Sequence, residues 1–136
     1  MPDIMNDSMF DYDLIVIGTG PGGEGAAMQA VKGGMRVAVA ERYSQIGGGC
    51  THWGTIPSKA LRHTITSTMK VLNNPAYREM GINARPTLEQ LKRGTQAIIG
   101  RQVTMRQSFY DRNGVPVFRG QARFVDDHAC LLYTSD

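Results

Sequence analysis

The segment that most constrains this chain is Tyr12 to Lys32, YDLIVIGTGPGGEGAAMQAVK. A short apolar, β-branched run ends at Gly18, Gly20 and Gly23, which spell GxGxxG, and a run of small, helix-favouring residues follows from Gly22 to Lys32. The apolar run predicts a strand over Tyr12 to Gly18, buried on both faces of a parallel sheet. The second run predicts a helix, stopped at Gly33-Gly34 because glycine tolerates positive φ. Arg36 to Glu41 (RVAVAE) predicts the next strand. Strand, helix and strand within so short a span make a βαβ unit with a right-handed crossover, so the fold class is α/β and Rossmann-like.

A glycine-rich turn can exist without a ligand, but between a buried strand and a helix each of these glycines has a physical task. Gly18 permits the sharp turn, Gly20 lets a pyrophosphate approach the backbone without meeting a Cβ, and Gly23 lets the helix pack closely on the sheet. Free amides and the helix dipole then favour an anion there without a basic side chain. Glu41 ends the second strand 18 residues after Gly23. A dinucleotide fold uses an acid at that place to accept hydrogen bonds from an adenosine ribose, and the acid repels a 2'-phosphate. Arg42 beside it reads as a solvated charge. The fingerprint leaves NAD and FAD both open.

Further along, Tyr43 to Gly54 is glycine-rich and predicts an irregular loop, and Ser58 to Leu72 predicts a helix through Ala60, Leu61, Ile65 and Met69. Asn73-Asn74-Pro75 breaks it, and Tyr77 to Arg85 reads as a connection. Thr87 to Arg112 restores a helical pattern through Leu88, Leu91, Ile98, Ile99 and Met105, and Asn113-Gly114 ends it. The methionines of these two helices read as core. Val115 to Phe118 and Ala122 to Val125 predict strands, the first giving a sheet ordered 3-2-1 and the second starting a small antiparallel meander. Residues 1–10 read as a disordered leader, 11–129 as a partial dinucleotide-binding domain, and 130–136 (CLLYTSD) as a tail of doubtful nativeness.

Composition narrows the function classes. The 15 lysines and arginines are scattered along a chain of net charge +3, without the dense run of a nucleic-acid arm. The longest apolar stretch falls far short of the roughly 20 residues of a membrane span, and the N-terminal residues hold acids in place of a basic leader region. Cys50 and Cys130 are too few for a disulfide scaffold or a cysteine-built zinc site, which points to a cytoplasmic, reducing setting. No metal is expected at Cys50, His52 or Trp53, and His63 and His128 read as ordinary surface or helix residues.

Ile46 to Leu61, IGGGCTHWGTIPSKAL, resembles the flavin-contacting segment of the pyridine nucleotide-disulfide oxidoreductase family. In that family a Cys-x4-Cys pair follows the glycines and a Pro-Ser-Lys follows the pair. Here Cys50 is kept and Thr55 stands where the second cysteine belongs, so no redox disulfide can form. With that departure, the segment through Leu61-Arg62-His63 is similar to the transhydrogenase branch of the family. The likeness extends from about Tyr12 to Asp127 and includes ERY at Glu41, MRQSFYDRN from Met105 and ARFVD from Ala122.

The resemblance implies an FAD-binding front portion of an enzyme that moves hydride between NADPH and NAD through FAD, with no dithiol relay. NAD and NADP are then substrates of the whole enzyme, which the resemblance makes a homo-oligomer, while this portion alone is inactive. It further implies that Gly48, Gly49, Cys50 and Thr51 border the flavin, that Lys59 lies near its N5 edge, and that Ala122 offers backbone groups to the adenine. If a helix begins near Thr51, then Thr51, Thr55, Lys59 and His63 share one face, with Pro57 bending the stripe. Lys59 also reads as a solvated helix lysine, and Ala122 as an ordinary small strand residue. Two competing readings are a dihydrolipoamide-dehydrogenase-like flavoprotein that has lost its disulfide and a non-catalytic nucleotide-binding module.

Overall fold

The computed structural model describes residues 9–134. The chain divides into two compact units, Met1–Ile46 with Gln107–Asp136, and Gly47–Arg106. In the first unit, β1 (Leu14–Ile17), β2 (Val37–Glu41) and β3 (Val117–Arg119) form a parallel sheet in which β2 lies in the middle. The order is the expected 3-2-1. Leu14 stands opposite Val37, and Val39 opposite Val117. All five residues of β2 are buried, as a central strand of small and β-branched residues allows.

The first strand departs from the expectation of burial on both faces. β1 is half-buried and Ile17 is 43% exposed, because β1 is an edge of the sheet among the described residues. Its end is tied to β2 by polar contacts: the Asp13 carboxylate accepts from the Arg36 amide at 2.8 Å and pairs with the Arg36 guanidinium at 2.9 Å. The Arg36 hydrogen bonds hold the Asp13 carboxyl below its ordinary range. Phe10, read as part of a frayed leader, accepts from the same guanidinium at its carbonyl, and its ring stacks on His128 at 5.1 Å. Met9 is exposed, and residues 1–8 of the leader lie outside the described residues.

Between β1 and β2 runs α1 (Pro21–Lys32). Pro21 starts it, where a missing amide hydrogen loses no bond, and Gly34 at φ +84° ends it as expected. After β3, Gly120 at φ +149° turns the chain into β4 (Gln121–Phe124), which pairs antiparallel with β5 (Cys130–Tyr133). The start of a small antiparallel sheet is thus present. Its second strand consists of residues read from sequence as a departing tail, with Leu132 opposite Ala122.

The second unit is helical: α2 (Gly48–His52), α3 (Thr55–Asn73), α4 (Pro75–Glu79) and most of α5 (Leu88–Arg112), whose stretch from Gln107 belongs to the first unit. Two stretches read as irregular are helical turns. Gly48–His52 winds because Gly47, at φ +116°, supplies a left-handed entry open to few other residues. Pro75–Glu79 winds because the Asn74 side chain caps it, accepting from the Ala76 amide at 3.0 Å. α5 opens on a reciprocal cap: the Gln90 amide donates to Thr87 Oγ1 at 3.2 Å and the Thr87 amide to Gln90 Oε1 at 2.8 Å. The expectation that the helix methionines are core fails. Met69 and Met105 are both more than 40% exposed, since their faces have no covering element among the described residues.

Among the described residues no helix is long and apolar enough to cross a membrane.

Candidate functional site

The first unit builds one set of the expected site residues from backbone geometry. Gly18 adopts φ +99° at the end of β1, and its amide donates to the Ala40 carbonyl at 2.7 Å, which fixes the turn against β2. A Cβ on Gly23 would lie 2.1 Å from the Gly18 carbonyl oxygen, so only glycine lets the first turn of α1 sit on this loop. Gly20 is the N-cap of α1 and has no side-chain cap. A Cβ there would meet nothing within 4 Å. The amides of Gly22 and Gly23, in the first turn, have no partner inside the helix. Gly18 thus makes the turn and Gly23 the close packing, and the space beside Gly20 is open.

Glu41 is 4% exposed at the end of β2, and its carboxylate is held on several sides. Oε2 accepts from the Thr19 amide at 3.0 Å and from the Thr19 hydroxyl, while Oε1 accepts from the Tyr43 amide at 3.0 Å. Burial pushes the carboxyl up. The Thr19 hydroxyl, the Tyr43 and Thr19 amides and the charge of Arg119 outweigh that, so the net direction is down and Glu41 stays ionised. Arg119 is the register partner of Glu41 on β3. Arg42 is exposed, as a solvated charge would be, and its guanidinium stacks on the Tyr43 ring at 4.7 Å. Ala122 is buried on β4.

The second unit carries the other set. Gly48, Gly49, Cys50 and Thr51 lie together on α2, and Lys59 lies on α3. The stripe Thr51, Thr55, Lys59 and His63 is broken, since α2 ends at His52 and α3 starts at Thr55, with Gly54 at φ −117° and ψ −105° between them. Pro57 bends nothing, because it sits in the first turn of α3, where its absent amide hydrogen has no helical acceptor. Lys59 is exposed and Cys50 half-buried. Thr51 is fully buried, and its hydroxyl has no hydrogen-bond partner among the described residues. A Cβ on Gly47 would come within 2.8 Å of the Thr51 Cβ, so Gly47 is also the residue that makes room for this threonine.

Sequence reasoning missed Thr19. It sits at an unspecified position of the glycine fingerprint, and the only signal for it was a hydroxyl between two glycines facing a buried acid. In the first unit the open approach at Gly20 and the unpaired first-turn amides fit the phosphate of a dinucleotide, and in the second the orphaned buried hydroxyl of Thr51 fits a polar ligand edge.

Comparison with known proteins agrees with this geometry. The family described as pyridine nucleotide-disulphide oxidoreductase matches residues 12–130. The soluble pyridine nucleotide transhydrogenase of Shigella boydii serotype 18 is 51% identical over 127 residues, covering 93% of this chain and 27% of that protein. The transhydrogenase of Escherichia coli O1:K1 matches to the same extent. The chain therefore spans about a quarter of the length of the curated relatives it matches. Among solved structures, the Cu(II) complex of the HOCl-induced flavoprotein disulfide reductase RclA from Escherichia coli superposes with a TM-score of 0.70 at 23% identity, covering 93% of this chain and 25% of that one. That likeness establishes the fold.

Proposed function

This chain belongs to the pyridine nucleotide-disulphide oxidoreductase family, and on that premise we propose that it is the FAD-binding front portion of a soluble NAD(P)+ transhydrogenase. The observation that carries the reading is the Gly18 turn, which sets an uncapped helix start, open at Gly20, beside the end of β2 where Glu41 is held ionised. When bound, FAD supplies a carrier that takes a hydride from one nicotinamide nucleotide and gives it to another.

The chain's own residues bind and orient. Gly20 admits the pyrophosphate, and the first-turn amides of Gly22 and Gly23 meet its charge. Glu41 accepts from an adenosine ribose hydroxyl, and its negative charge turns away a 2'-phosphate. Ala122 contributes backbone groups to the adenine. Gly48, Gly49 and Cys50 border the flavin, where the Thr51 hydroxyl finds the hydrogen-bond partner it lacks among the described residues. Lys59 supplies a positive charge at the N5 edge, where electron density collects on reduction. Thr55 offers no sulfur, so Cys50 lacks the second cysteine of a dithiol relay, and the chemistry left to bound FAD would be hydride exchange between nicotinamide nucleotides.

By the same reading the parent enzyme is a cytoplasmic homo-oligomer and these 136 residues alone do not transfer hydride. The test is made on the full-length parent. Purified enzyme with bound FAD is mixed with NADPH and a spectrally distinct NAD analogue, and in parallel with a reduced dithiol and NAD. The proposal expects reduction of the analogue, no oxidation of the dithiol, and slower flavin reduction by NADPH in Lys59→Met. Dithiol oxidation at a comparable rate would make it a disulfide-reductase-type enzyme, and FAD that neither nucleotide reduces would make it a non-catalytic module.

A further inference from the structure

The Glu41 carboxylate raises a question of supply and demand among hydrogen bonds. A carboxylate offers about four lone-pair positions. Thr19 fills both on Oε2, one from its amide and one from its hydroxyl, and the Tyr43 amide fills one on Oε1. Among the described residues one acceptor position is left, and it is on Oε1. Glu41 is therefore a fixed acceptor with a single opening, and the group that decides which oxygen stays open is Thr19.

We propose that Thr19 is a positioning residue: its hydroxyl, with its amide, engages Oε2 of Glu41, so that Oε1 is presented to one ribose hydroxyl of the bound dinucleotide. This rests on the reading of the first unit as an FAD site. The Thr19 amide is available from any residue, since it belongs to the backbone, so the selective element is the side chain. Without it, one lone pair of a buried carboxylate is left empty, and the carboxylate can rotate or take up a proton. The hydroxyl is also placed to act on the ligand's chemistry. By keeping Glu41 charged, it sharpens the distinction between a free ribose diol and a 2'-phosphorylated one.

The charged group bearing on Glu41 is Arg119, its register partner on β3, while the guanidinium of Arg42, next in the chain, lies over the Tyr43 ring. Arg119 lowers the Glu41 carboxyl, and both residues are unchanged in the variants below, so a shift between variants reports on Thr19.

The test compares wild type, Thr19→Val and Thr19→Ser in this 136-residue chain, with folding checked by circular dichroism. Glu41 is titrated by carboxyl-carbon NMR without ligand, and FAD binding is measured separately by flavin fluorescence. The expected result for Thr19→Val is a Glu41 midpoint moved upward and FAD binding weakened about ten-fold, the scale of one hydrogen bond to a charged group. Thr19→Ser restores both. If Thr19→Val does not fold, Thr19→Ala is read in its place. An unchanged Glu41 midpoint with unchanged FAD binding overturns the proposal and leaves the FAD reading standing. A wild type that binds no FAD, whatever the titration shows, means that this chain alone does not build the ribose site and overturns the ribose assignment made for it, while the family assignment stands.

Discussion

The glycine turn of the first unit and the α2 segment of the second meet the problem of a ligand in opposite ways. Around β1 and β2 the turn and the acid have partners in the chain, since Gly18 bonds to β2 and Glu41 is held by Thr19 and Tyr43, and only the first-turn amides of α1 stay open. That part of the site is built by the chain itself. On α2, by contrast, Thr51 buries a hydroxyl with no partner among the described residues, and on α3 the Lys59 side chain is exposed. The first region is a finished frame and the second holds groups whose bonding is incomplete. The contrast teaches where substitutions separate stability from binding. At Gly23 and Glu41 of the frame both fall together, at Gly20 binding falls alone, and on α2 they move in opposite directions.

Gly23→Ala is expected to break the frame hardest. The added Cβ would lie 2.1 Å from the Gly18 oxygen, so the turn must open, at a cost of about 3 kcal/mol in chemical denaturation. Flavin retention goes with it. Next comes Glu41→Gln, which leaves the Thr19 and Tyr43 donors facing a neutral, differently shaped acceptor and loses about 2 kcal/mol. The native carboxyl is held below its unfolded range, so its contribution is complete above that range and is lost as pH falls through the folded value. Denaturation midpoints taken from pH 7 down to pH 3 should therefore fall more steeply in wild type than in Glu41→Gln. Equal slopes would show that Glu41 is not held as described.

Thr51→Val sharpens the contrast from the other side. Removing an unsatisfied buried hydroxyl while keeping its shape should raise the stability of the ligand-free chain by about 1 kcal/mol. Flavin binding should weaken at the same time. A variant that is both less stable and unchanged in binding would mean that the hydroxyl has a partner in the chain. The smallest effect is expected for Lys59→Met, whose midpoint should match wild type because the side chain is exposed. A clear loss of stability there would give Lys59 a structural role.

The frame was largely legible in the sequence. The run into Gly18, the spacing to Gly23 and the acid at Glu41 each follow from backbone demands that few residues meet, so strand, turn, helix and strand stand where periodicity and glycines placed them. The second unit was less legible. Gly48–His52 is helical despite residues that favour other conformations, because Gly47 turns the chain into it. Pro75–Glu79 was read as a break although Asn before Pro is also a helix start, and the cap at Thr87 and Gln90 was equally available. The exposure of Ile17, Met69 and Met105 could not be read from their apolar character. It depends on which elements cover them, which no local pattern encodes.

The central claim, that the Gly18 turn and α1 start form a flavin site, is tested most directly at Gly20. Its backbone, at φ −66° and ψ 175°, suits any residue, and a Cβ there meets nothing within 4 Å. Gly20→Val should therefore fold with the wild-type midpoint. Wild-type chain purified with excess FAD is expected to retain flavin absorbance through gel filtration, and Gly20→Val to lose it. A folded Gly20→Val that retains as much flavin as wild type would contradict the account.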